Sequence, residues 1–173
     1  YEISLGLVGS EMCIRDRGAA VSTFLSQNYG AFKLDRIQDG YHKGVMVSIL
    51  YGAFACVVMV FFGRILSMMF VSANESQVLN ASALYLRRMG YFYPVLGILI
   101  TTRMSVQGLG YSARAMLAGF VEMIARCIVA LCFVPIFKYN AITWADQAAW
   151  VAATLVLIPL WISAMRAVQK KMS

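Results

Sequence analysis

The chain has 173 residues, of which 61% are hydrophobic and 13% charged, with a mean hydropathy of +0.71 and a net charge of +7. Soluble domains carry about 45–50% apolar and about 25% charged residues, so a water-soluble fold of this size could not hide so much apolar surface. The basic residues are scattered along the chain instead of clustered, which speaks against a nucleic-acid partner. What remains is a polytopic membrane protein, an all-α bundle of transmembrane helices with the lipid bilayer as its surroundings.

In chain order, residues 1–17 (YEISLGLVGSEMCIRDR) stand apart from the rest of the chain. Glu11, Arg15, Asp16 and Arg17 set charge directly ahead of an apolar segment, and the tract resembles a translated sequencing adapter. We read 1–17 as a non-native scar and 18–173 as the native segment. Gly18 to Ser26 is then the end of a helix, stopped at Gln27, Asn28, Tyr29, Gly30 and Ala31, with Asn28 and Gly30 supplying turn and C-cap chemistry. Lys33 to Lys43 reads as a mixed-charge loop or a short amphipathic surface helix.

Four spans come next, at about 44–62, 86–107, 113–134 and 148–165, each near the ~20 residues that cross a hydrocarbon core. Ser72 and Glu75 give a helix-start signal between the first two. Gln107, Gly108 and Gly110 form a polar hinge between the second and third. Pro94 lies within the second span as a bend, and Pro159 kinks the last. A loop carrying Lys138, Asn140 and Asp146 precedes that last span, and Tyr139, Trp144, Trp150 and Trp161 suit its membrane interfaces.

Basic residues set the expected orientation. Lys33, Arg36, Lys43, Arg114, Arg166, Lys170 and Lys171 fall on one side, against Arg64, Arg87, Arg88 and Lys138 on the other. The richer side should be cytoplasmic, so the C-terminus of this cell-membrane protein is expected in the cytoplasm.

Arg103, Glu122 and Arg126 fall inside spans, where ionisable groups are costly and face protein or a water-filled path. Glu122 is the single carboxylate in those spans, so it is a candidate for holding a cation. It is also four residues before Arg126, the favoured order for a structural pair on one helix face, and we give that pair more weight. Arg103 reaches toward Glu122, snorkels, or meets a partner outside this chain; the residues leave all three open. Tyr91, Tyr93, Met89 and Met104 could line a cation-tolerant cavity, although plain packing is the commoner role for such residues.

His42 has no neighbour with which to act as base or ligand, and no Ser or Cys in the spans has a histidine partner, so an enzyme is not expected. Cys13, Cys56, Cys127 and Cys132 lack metal spacing, and neither disulfide, metal nor cofactor is expected. Sequons at Asn74 and Asn80 carry weight only in a eukaryotic source.

STFLSQNYGAFKLDRIQDG, FFGRILSMMFVSANE and RMSVQGLGYSARAMLAGFVEMIARCIVALCFVP resemble the second half of MATE (multidrug and toxic compound extrusion) transporters. The likeness covers about Gly18 to Lys171, as the end of that family's eighth helix and its ninth to twelfth. It implies a fragment of the second six-helix lobe, with the first lobe of the same protein as its partner. The implied activity is secondary antiport, moving organic cations outward in exchange for sodium ions or protons. A related exporter or flippase of lipid-linked or polysaccharide cargo is the alternative, favoured if several basic residues line the cavity.

Overall fold

A computed structural model describes residues 3–68 and 76–172. The described chain is helical in five long segments and one short one: α1 (Ile3–Gly30), α2 (Leu34–Met68), α3 (Ser76–Gly108), α4 (Ser112–Ile128), α5 (Val134–Phe137) and α6 (Tyr139–Met172). A π-helical turn, Val129–Phe133, joins α4 to α5 without a break. Three stretches are long and apolar enough to cross a membrane by length and composition: Leu34–Met68, Ser112–Phe137 and Tyr139–Met172. The expected helix start at Ser72 to Glu75 and the Asn74 sequon lie outside the described residues.

The central helix is α3. It packs against α1, α2, α4 and α6, and α4 packs in turn on α6. Its place in the middle explains why α3 is not among the three most apolar helices, although 86–107 reads as a span. Thr101, Thr102 and Ser105 are fully or almost fully buried on it and need polar partners instead of lipid. They find them: Ser48 and Thr101 share a hydroxyl hydrogen bond of 2.6 Å, Tyr41 and Thr102 one of 3.0 Å, and Ser105 donates to the Thr101 carbonyl. Lipid-buried helices associate through close packing and such bonds, because lipid gives apolar groups no reason to leave it.

The α2–α3 seam is correspondingly tight. A Cβ on Gly52 would lie 2.6 Å from Pro94 Cα, and one on Gly97 2.9 Å from the Ser48 carbonyl oxygen. On its other side α2 turns Met46, Leu50, Phe54, Val57 and Phe61 outward at helical spacing, an unbroken apolar stripe.

Several boundaries differ from the sequence expectation. Lys33 to Lys43 is no loop: from Leu34 it belongs to α2, because Asp35 suits a helix first turn and Ile37 and Tyr41, one turn apart, enter the core. α1 does end near Gly30, but its left-handed residue is Phe32 (φ 55°). Asn28 stays helical, donating its side-chain amide to the Phe24 carbonyl (2.8 Å), and the closing bond from Lys33 N–H to the Asn28 carbonyl sets the reversal at Phe32. α1 is continuous across residue 17, with Ile14 buried and Arg17 3.9 Å over the Tyr51 ring.

The third span passes Pro135 and reaches Phe137; the wider π turn before the proline absorbs the hydrogen bond its ring removes. Trp150 and Trp161 are buried among the helices, and Trp161 stacks on Tyr41 at 4.0 Å; Trp144 and Tyr139 are exposed.

The hinge between α3 and α4 is a Schellman closure. Gly110 N–H bonds the Gln107 carbonyl (2.9 Å), Tyr111 N–H bonds the Val106 carbonyl (3.2 Å), and Gly110 takes φ +87°. Space around Gly110 is open, so its requirement is purely conformational. Gly110→Ala is expected to lower stability by about 1 kcal/mol, read by denaturant titration in mixed micelles. An unchanged midpoint would refute the left-handed requirement.

Candidate functional site

Where α3, α4 and α6 meet, four ionised side chains and one tyrosine form a continuous line. Arg103 Nη2 on α3 contacts Glu122 Oε2 on α4 at 2.5 Å. Glu122 Oε1 lies 3.3 Å from Arg126 Nη2, one turn further along the same helix. Arg126 Nε donates to Asp146 Oδ1 on α6 at 3.0 Å, and the Tyr85 hydroxyl on α3 donates to Asp146 Oδ2 at 3.1 Å.

Each link has a local origin. The Glu122–Arg126 spacing aligns both on one face of α4. The reversal at Lys138 (φ 49°) returns the chain antiparallel, so that α6 carries Asp146 past Arg126. The α3–α4 hinge folds Arg103 and Glu122 back toward each other. Their depths, counted from the hinge, differ by roughly 8 Å, which the length of an arginine spans. Glu122 thus has two cationic partners and is the most sheltered member, with its side chain 12% exposed against 45% for Arg126. A sheltered carboxylate needs such partners, since desolvating an unpaired charge is costly.

These residues form one wall of a cavity of about 430 Å³. Tyr85, Arg103, Gln107, Glu122, Arg126 and Asp146 supply its polar lining. Met89, Leu96, Leu99, Ile100, Met104 and Trp150 supply an apolar one, and Arg15 of α1 also lines it. Its volume falls within the range of small-molecule sites, and its lining divides about evenly between polar and apolar side chains.

The sequence candidates divide accordingly. Arg103, Glu122, Arg126, Met104 and Gln107 converge on the cavity, as does Met89. Tyr91 and Tyr93 are not in its lining: Tyr91 is exposed on the outer face of α3, and Tyr93 is fully buried in the core. Pro94 meets α2 at Gly52, while Gln27, Asn28 and Gly30 lie at the end of α1, away from the cavity. Gly108 lets α3 approach α1, with its would-be Cβ 2.6 Å from the Ser22 carbonyl oxygen.

Asp146 is the site residue that the sequence expectation does not include. It belongs to α6, so Glu122 is not the sole carboxylate in the membrane-length helices. Starting α6 at Tyr139 is the signal that finds it, because residues 139–147 hold a single acidic group ahead of a long apolar run. Tyr85 escapes for the same reason, since its significance depends on Asp146.

No curated protein and no solved structure matches the chain. A family model described as MatE matches residues 17–132, well over half of the chain. With that match, the all-α bundle and its three membrane-length helices, the chain belongs to the MatE family of membrane transporters.

Proposed function

We propose that the chain is part of the second lobe of a multidrug efflux antiporter, exporting organic cations or drug-like compounds in exchange for sodium ions or protons. The observation that carries this reading is the cavity between α3, α4 and α6, whose lining combines two carboxylates with apolar side chains, Trp150 among them. Carboxylates sheltered among membrane-length helices, and held by partners, are a common way to receive a cation within a bilayer. Aromatic faces and methionine sulfur extend the welcome to bulky organic cations. A lobe supplied by the remainder of the transporter would close the open side of the cavity.

The alternative cargo, a lipid-linked or polysaccharide anion, calls for cations free to meet it. Arg103 and Arg126 are both neutralised by carboxylates, which weighs against that reading, whereas Arg15 is a third basic residue on the lining and speaks for it. The basic end of the bundle gathers Lys33, Arg36, Lys43, Arg114, Arg166, Lys170 and Lys171, with Lys171 5.7 Å above the Tyr29 ring. We infer from it a multi-pass protein of the cell membrane, a bacterial inner membrane, with a cytoplasmic C-terminus.

The test is transport. Proteoliposomes carrying the chain together with the first lobe should accumulate ethidium when a sodium or proton gradient is imposed, and Asp146→Asn should reduce the initial rate about tenfold or more. Ethidium flux indifferent to both gradients would overturn the antiport reading.

A further inference from the structure

Within the ion line, Arg126 occupies an unusual position. Its Nε bonds Asp146 and its Nη2 bonds Glu122, so one guanidinium bridges two carboxylates on two helices. It is also the most exposed of the four charged groups. Removing it strands neither carboxylate: Glu122 keeps Arg103 at 2.5 Å, and Asp146 keeps the Tyr85 hydroxyl at 3.1 Å.

Charge balance gives the consequence. Within the ion line, Arg103, Glu122, Arg126 and Asp146 together are neutral, and without Arg126 the remaining three carry one negative charge, with Arg15 as the further cation on the cavity lining. That negative charge would lie on the wall of a 430 Å³ cavity whose lining also includes Met89, Leu96 and Trp150. A monovalent cation set between Glu122 and Asp146 restores neutrality. One with in-plane N–H donors also restores the two bonds that Arg126 makes, because a guanidinium presents its donors as a rigid fork. An aromatic group on that cation would meet the apolar wall.

We propose that Arg126 is a tethered counter-ion seated in a ligand site, and that Glu122 and Asp146 take up an aryl guanidinium or amidinium monocation when Arg126 swings aside. The inference deepens the cation cavity of the proposed function and rests on it. It adds a displaceable occupant and a preference for N–H donors over quaternary nitrogen.

Equilibrium dialysis of the full chain in detergent micelles tests it with phenylguanidinium and phenyltrimethylammonium, two phenyl-bearing monocations of which only the first carries N–H donors. The wild-type chain should prefer phenylguanidinium by about tenfold, the effect of one lost charge-assisted bond. Arg126→Gln should bind it about tenfold more tightly than wild type, since the resident competitor is gone, and adding Asp146→Asn should abolish that gain. Equal wild-type affinity for the two cations overturns the proposal and needs no variant to fold. Unchanged or weaker binding by a folded Arg126→Gln chain overturns the displacement while leaving the cation cavity standing. No binding of either cation by wild type or variants overturns both together.

Discussion

Glu122→Gln should destabilise the bundle by about 3 kcal/mol, the lower end of the cost of breaking a buried ion pair from one side. The loss falls on Arg103. Its Nη2 would lose a carboxylate oxygen at 2.5 Å, and its Nε is already buried without a hydrogen-bond partner among the described residues. The Arg103 side chain is 26% exposed, so water relieves part of the stranded charge, which is why the lower end applies. Arg126 suffers less because Asp146 still holds it.

Removing both charges should undo most of that damage. An Arg103→Met, Glu122→Met chain replaces the pair with apolar groups and is expected within about 1 kcal/mol of wild type. Denaturant titration in mixed micelles reads both, and a Glu122→Gln midpoint equal to wild type would show that Arg103 does not depend on Glu122. A Glu122→Gln chain that folds normally yet loses gradient coupling would assign the carboxylate to transport instead of scaffold.

The second large effect belongs to the α2–α3 seam. Gly52→Ala should cost about 2–3 kcal/mol, as overpacking does where nothing can give way. The new Cβ would lie 2.6 Å from Pro94 Cα, 2.8 Å from Pro94 N and 3.0 Å from the Tyr93 carbonyl carbon, all of them backbone. No rotamer change relieves that; the helices must separate. Gly119→Ala is the matched control, since nothing lies within 4 Å of its would-be Cβ and alanine favours the helix by up to about 1 kcal/mol. Equal unfolding midpoints for the two variants would refute the close approach.

The helices are legible from apolar length, and the charged trio from its presence inside that length. Legibility fails where an outcome depends on a neighbour in space. Lys33 to Lys43 looks like a surface segment because five of its residues are formally charged, yet Ile37 and Tyr41 commit it to α2 by packing on the core. Trp150 and Trp161 carry interfacial chemistry, but only the placement of α3 and α2 decides that they are enclosed. Arg103 has three open placements in sequence, and the reversal at Gly110 brings it to Glu122. Asp146 is hidden because a short polar stretch before an apolar run reads as a loop, whereas the Lys138 reversal starts the helix at Tyr139.

The two ways in which α3 is held differ in kind. Toward α2 the grip is backbone against backbone at Gly52 and Gly97, which permits almost no sliding. Toward α4 and the first turns of α6 the cavity side is joined instead by the ends of long charged side chains. Any large rearrangement of this bundle therefore carries α2 and α3 together as one rigid plate.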